Sequence, residues 1–172
     1  VPLRRVVVGE RREVRSVRWE VVWPQRVIHG EGSDPNNASI VLVVDTGGVR
    51  LLLTGDIEAA AQAALLPLVQ GLAPPVDVLK VPHHGSADFS GALFQAVSPV
   101  VSVVSSGDEN ARKEYIHPRA TLMGALGKWS RVPEPLIFVT ELVAFFNVEG
   151  YSKLANPKTP KQKARRGRLG WS

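Results

Sequence analysis

The sequence predicts an α/β domain in which helices pack on a mixed β-sheet. Three observations carry that expectation. Short β-branched and leucine runs recur along the chain. Two of them, Ser39–Asp45 and Val49–Thr54, flank the turn Thr46–Gly48 and read as a hairpin. After that hairpin, strand-like runs alternate with alanine- and leucine-rich segments, the order expected of helices packed on a sheet.

The elements follow in order. Residues 1–16 are charged and expected to be irregular. Val17–Trp23 alternates, ends at Pro24 and reads as a strand. Glu31–Asn37 is turn chemistry, with Gly, Asp-Pro and paired Asn. Ile57–Val69 has helical composition and is closed by Pro74-Pro75. Val76–Val81 is a strand ending at Pro82, and Phe89–Val97 is a short helix stopped by Ser98-Pro99. Val100–Ser105 is a further strand, followed by a polar loop over Ser106–Glu114. Pro118–Lys128 is a helix with Pro in its first turn, and Leu136–Val148 holds one or two strands. The later strands are short and apolar, a pattern expected of strands covered on both faces.

Composition excludes several classes. The chain has 172 residues and no cysteine, so disulfides, zinc-thiolate sites, iron–sulfur clusters and cysteine nucleophiles are ruled out within it. Any metal must be held by His, Asp or Glu. No apolar run approaches the roughly 20 residues of a membrane helix. No secretory signal pattern opens the chain, and no glycine-rich phosphate loop or internal repeat occurs. The chain begins with Val and is read as a piece of something longer.

Net charge is +5, but unevenly spread. Residues 151–172 carry seven of the 21 basic residues (Lys153, Lys158, Lys161, Lys163, Arg165, Arg166 and Arg168) and no acidic one. Residues 1–150 keep 14 basic against 16 acidic residues, a net of −2. A second basic cluster, Arg4, Arg5, Arg11, Arg12, Arg15 and Arg18, opens the chain. Such ends attract polyanions without sequence preference, or are solvated and disordered. The division expected is a basic segment 1–16, a folded unit 17–150 and a basic, disordered tail 151–172.

Residues able to do chemistry lie after strands, where ligands gather in open α/β sheets. Asp56 follows the run ending at Thr54, His83 and His84 follow Val81, and His117 follows the loop after Ser105. Each has a plainer reading. Asp56 suits a helix N-cap, His83-His84 a solvated loop pair, and His117 a position next to a helix start before Pro118. The functional readings are a carboxylate able to bridge two metal ions and imidazoles able to bind metal or move protons. Gly85 permits a tight turn and Ser86 is placed to cap the following helix. His29 reads as a surface residue.

Taken in order, four segments resemble the C-terminal metallo-β-lactamase-like domain of the ComEC family, channel components of bacterial natural competence. They are Asn37–Leu42, Leu51–Glu58, Asp77–Ser86, and Ser105 through His117-Pro118. Thr54-Gly55-Asp56 followed 27 residues after Asp56 by His83-His84-Gly85-Ser86 is the most specific part. The resemblance covers about residues 17–130 and implies half of an αββα sandwich. It implies Asp56 and His117 as ligands of divalent metal, zinc or manganese, with two ions in the complete domain. It implies that His83 or His84 assists catalysis, with Gly85, Ser86 and Asn37 in support. The implied reaction is metal-dependent phosphodiester hydrolysis that degrades the DNA strand not imported. The family's His-x-His-x-Asp-His motif is absent, since no two histidines are separated by one residue. Ile116 precedes His117 where the family usually has Gly. The chain therefore resembles the second half of the domain and is expected to be inactive alone.

The implied partners are single-stranded DNA, bound without sequence preference, the remainder of a parent membrane protein, and other competence proteins. The parent is expected in the bacterial membrane, with this domain soluble and extracytoplasmic. Lys158, Lys161, Lys163, Arg165, Arg166 and Arg168 are the candidate DNA contacts. Two other readings stand beside this one: a non-catalytic DNA-binding or structural module, and another metallo-hydrolase of the same superfold.

Overall fold

The computed structural model describes residues 5–106 and 117–140. It is α/β, with one seven-stranded mixed sheet whose strands lie in chain order. The strands are β1 (Arg11–Val14), β2 (Val17–Trp23), β3 (Val41–Thr46), β4 (Val49–Leu53), β5 (Val78–Lys80), β6 (Val101–Val104) and β7 (Leu136–Val139). The helices are α1 (Asp34–Asn37), α2 (Ala59–Gln70), α3 (Gly91–Val97) and α4 (Ala120–Lys128). Strands β1 to β4 pair antiparallel, and β4 to β7 pair parallel.

The hairpin between β3 and β4 is tighter than its sequence suggests. Thr46 pairs with Val49, so only Gly47 and Gly48 form the turn, with φ of +56° and +85°. Two consecutive positive φ values match the right-handed twist of the strands they join, and glycine adopts them freely.

Three helices connect the parallel strands, which step across the sheet in one direction. Right-handed crossovers then place all three helices on one face. The register shows which face. Val43, Leu52, Leu79, Ser102 and Ile137 form one paired row. The first four of these are buried, and the row packs with Leu65, Val69, Leu93, Phe94, Leu122 and Leu126 from the helices. The opposite face carries Leu51, Val78, Val101 and Leu136 in one row and Leu53, Lys80, Val103 and Phe138 in the next. Leu136 and Phe138 there are 53% and 57% exposed. Cover on both faces, expected from the apolar runs, is thus found on one face among the described residues.

Residues 1–16, expected to be irregular, include β1. Arg11 and Arg12 sit opposite Glu20 and Trp19, and Arg11 Nε donates to Glu20 at 2.9 Å. Cross-strand pairing absorbs charges that read as a loose basic run. The loop expected over Ser106–Glu114 lies outside the described residues from 107 onward, as does the expected strand beyond Thr140. The tail 151–172, with Lys158, Lys161, Lys163, Arg165, Arg166 and Arg168, also lies outside them.

Candidate functional site

Parallel strands leave the sheet at the same edge. Asp56 stands just after β4, His83 and His84 just after β5, and Ser105 just after β6. The structure brings Asp56, His83, His84 and His117 together there. His84 Nε2 lies 3.4 Å from Asp56 Oδ2. The ring centroid of His83 is 6.5 Å from that of His84 and 5.7 Å from that of His117.

The backbone is bent hard to achieve this. His83 and His84 have φ of +46° and +53°, the left-handed region that β-carbon-bearing residues rarely occupy. Each such residue costs on the order of 1 kcal/mol and persists only where its surroundings enforce it. Gly85 continues the bend at φ +83°, and a Cβ on it would lie 2.6 Å from Pro118 Cβ. The Arg119 amide donates to Gly85 O at 2.8 Å. The histidine loop is thereby pinned to the segment carrying His117.

The two adjacent rings do different things. His84 Nδ1 lies 2.6 Å from the Ser105 carbonyl oxygen. A carbonyl only accepts, so Nδ1 holds the proton and the ring is fixed with Nε2 toward Asp56. A histidine oriented by a backbone carbonyl in this way is suited to ligate a cation. His83 instead faces Glu58, with Nδ1 3.5 Å from Glu58 Oε1, and its Nε2 lies 3.5 Å from Asn36 Nδ2. That Nδ1 is buried without a hydrogen-bond partner, and so is Nδ1 of His117. Burial drives the His117 pKa down from 6.5 to about 4, helped by the positive charge of Arg119 and by His83 and His84, with Asp56 opposing. Its neutral imidazole is the form that ligates metal or accepts a proton.

Three residues of this edge were not singled out from the sequence. Glu58 is 7% exposed, accepts from Ser33 N at 2.7 Å and from Asn36 Nδ2 at 2.9 Å, and backs His83. Asn36 links it to the His83 ring. Lys80 Nζ donates to Gly55 O at 2.7 Å and stands 3.5 Å from Asp56 Oδ1. Burial lowers the Lys80 pKa, and Asp56 opposes that. A lysine inside the strand-like run Val76–Val81 was the available signal for it.

Several expected roles are placed differently. The N-cap position of α2 is Glu58, and Asp56 lies two residues before it, so Asp56 is free to face the edge. Helix α3 begins at Gly91 and is capped by Ser90. Ser86 Oγ instead accepts from Asp88 N at 3.2 Å and closes a local turn. The N-cap position of α4 is Arg119, two residues past His117. Asn37 is supporting in a literal sense: Oδ1 accepts from Glu58 N at 3.0 Å, Nδ2 donates to Glu31 O, and its carbonyl accepts from Trp23 Nε1. His29 is on the surface, paired with Asp34 at 2.9 Å.

Carboxylate and imidazole are suitable chemistry for zinc or manganese. Even so, no group of three or more His, Asp or Glu residues converges in a metal-holding arrangement among the described residues. The described residues alone do not complete a divalent-metal site. A cleft of about 620 Å³, lined by residues such as Arg12, Arg18, Arg50 and Leu68, includes none of the four clustered residues.

No family model matches the chain. Over 134 residues it is 31% identical to ComE operon protein 3 of Bacillus subtilis, an alignment covering 76% of this chain and 16% of that protein. It is 42% identical to competence protein ComA of Neisseria gonorrhoeae over 86 residues, covering 49% of this chain and 12% of that protein. It is 35% identical to recombination protein 2 of Haemophilus influenzae over 121 residues, covering 70% and 14%. The names of these relatives support a competence-related family. The chain spans about a sixth or less of their length. No helix among the described residues is long and apolar enough to cross a membrane.

Proposed function

We propose that this chain is part of a DNA-internalisation protein acting in natural transformation, and that its carboxyl edge is one side of a composite phosphodiesterase site. The observation that carries this reading is the convergence of Asp56, His83, His84 and His117 from three separate loops. His84, oriented by Ser105 and aimed at Asp56, is the ligand-like histidine. His83, backed by the buried Glu58, is the one placed to move a proton. The missing donors would come from outside the described residues. The apolar sheet face opposite the helices supports a second layer packing there, as in half of an αββα sandwich. The parent would be a membrane protein, its substrate single-stranded DNA, and its other partners the rest of the uptake machinery.

One observation favours a second reading. The lack of a three-donor group among the described residues suits a non-catalytic module that binds DNA or supports the channel. Another metallo-hydrolase of related fold is the third. The deciding experiment assays single-stranded DNA cleavage with manganese or zinc, for residues 1–172 and for a longer protein carrying the upstream region. The proposal expects cleavage only in the longer protein and its loss in Asp56→Ala. Cleavage indifferent to Asp56→Ala, or none in either protein, favours the non-catalytic module.

A further inference from the structure

Two adjacent asparagines of α1 grip one glutamate. Asn37 Oδ1 accepts from Glu58 N at 3.0 Å, and Asn36 Nδ2 donates to Glu58 Oε1 at 2.9 Å. Ser33 N donates to Glu58 Oε2 at 2.7 Å, and the loop packs on that oxygen so closely that a Cβ on Gly32 would run into it. Both carboxylate oxygens therefore have a fixed donor.

That arrangement sets the orientation of the Asn36 amide. A carboxylate oxygen accepts, so the NH2 group of Asn36 faces Glu58 and not its carbonyl. The same Nδ2 stands 3.5 Å from His83 Nε2. An amide nitrogen only donates, so this contact requires a lone pair on Nε2. The other ring nitrogen gives the same answer independently. His83 Nδ1 is buried without a hydrogen-bond partner and lies 3.5 Å from Glu58 Oε1. A lone pair there would face a carboxylate oxygen, and a proton replaces that repulsion by attraction.

We propose that Asn36 is a positioning residue for His83: anchored by Glu58, its amide keeps the neutral ring in the Nδ1–H form, so that Nε2 is the nitrogen left to act on a substrate. His84 reaches the same form by another route, its Nδ1 held by the Ser105 carbonyl. The two adjacent histidines thus carry their protons on the same nitrogen. The consequence for cleavage rests on the hydrolase reading above, and the tautomer stands without it.

The test is long-range nitrogen–proton correlation NMR of the isotope-labelled 172-residue chain, with chelator present and in alkaline buffer so that neutral rings are read. His83 is expected to show a protonated Nδ1 and a bare Nε2. Asn36→Leu, similar in volume but without a donor, should shift the His83 nitrogen signals toward the Nε2–H form that a free imidazole side chain favours in water. The His84 signals should stay where they are, because Ser105 is untouched; this separates loss of positioning from general loosening of the edge. A protonated Nε2 on His83 in the natural chain overturns the proposal. So do His83 signals that are the same in Asn36→Leu as in the natural chain. If Asn36→Leu does not fold, Asn36→Ala serves. In the longer protein, the substitution should lower the cleavage rate at saturating substrate about tenfold or more, with KM little changed. An unchanged rate overturns Nε2 as the acting nitrogen. A longer protein that cleaves no DNA removes the hydrolase reading and leaves the tautomer to be decided by the NMR alone.

Discussion

His84 presents Nε2 to Asp56 Oδ2 at 3.4 Å because its other ring nitrogen is held by the Ser105 carbonyl. With Nδ1 protonated, a neutral ring offers Asp56 a lone pair, and a carboxylate oxygen offers another. Two acceptors at that distance need a proton or a cation between them. The edge is therefore built around positive charge, and Lys80 supplies it from the other side of the same carboxylate.

Glu58→Ala should cost about 2–3 kcal/mol of stability, because Ser33 N and Asn36 Nδ2 lose a buried acceptor. Glu58→Gln should cost less, since an amide oxygen can still accept one of the two bonds. Urea unfolding of the three chains checks this. Equal stability would mean that the carboxylate is no anchor of the loop.

Gly85→Ala should cost about 2 kcal/mol or more, since its Cβ would meet Pro118 Cβ at 2.6 Å and Leu122 Cδ2 at 3.0 Å. Gly124→Ala makes the contrast. Gly124 lies inside α4 with open space around the position, so alanine should stabilise by about 0.5–1 kcal/mol. Opposite signs in a melting comparison are the expected result.

Stability should fall as the solution is acidified through the range between pH 6.5 and about 4. His117 has its folded pKa pushed down to about 4, while the unfolded chain protonates near 6.5. The unfolded state then binds more protons, so the contribution is complete above pH 6.5 and is lost as pH falls toward 4. With screening by solvent allowed for, the loss should be about 1–2 kcal/mol. His117→Asn should flatten the slope across that range, measured by urea unfolding at fixed pH in the presence of chelator.

DNA binding should come from the chain ends, be blind to sequence and weaken steeply with salt. Deleting residues 153–172 removes all seven basic residues counted beyond position 150. Affinity for a fluorescent single strand at low salt should drop sharply. Unchanged affinity would mean that the folded part makes the contacts.

Much of the fold was legible in the chain. Val17–Trp23 reads as a strand from its alternation and the proline that ends it, and β2 spans those residues. Ile57–Val69 reads as a helix from composition, and α2 covers Ala59–Gln70. Strand β1 escaped because Arg11 and Arg12 look like loop residues until Glu20 faces Arg11 across the ladder. The one-sided cover of the sheet escaped because an apolar run is the same string whether one face or both are packed.

The sequence by itself determined that Asp56 would stand after β4 and His83 and His84 after β5, because strand ends and loop residues are local features. Only the tertiary structure decided what each group faces. Asp77 N donates to Arg50 O in β4, and Val101 N donates to Asp77 O, so β4, β5 and β6 are held side by side and in step. Their exits therefore coincide. Lys80 meets Asp56, and Glu58 meets His83, across 24 and 25 residues of chain. Contacts at that separation depend on strand register and crossover hand, and neither is written in the residues that make the contact.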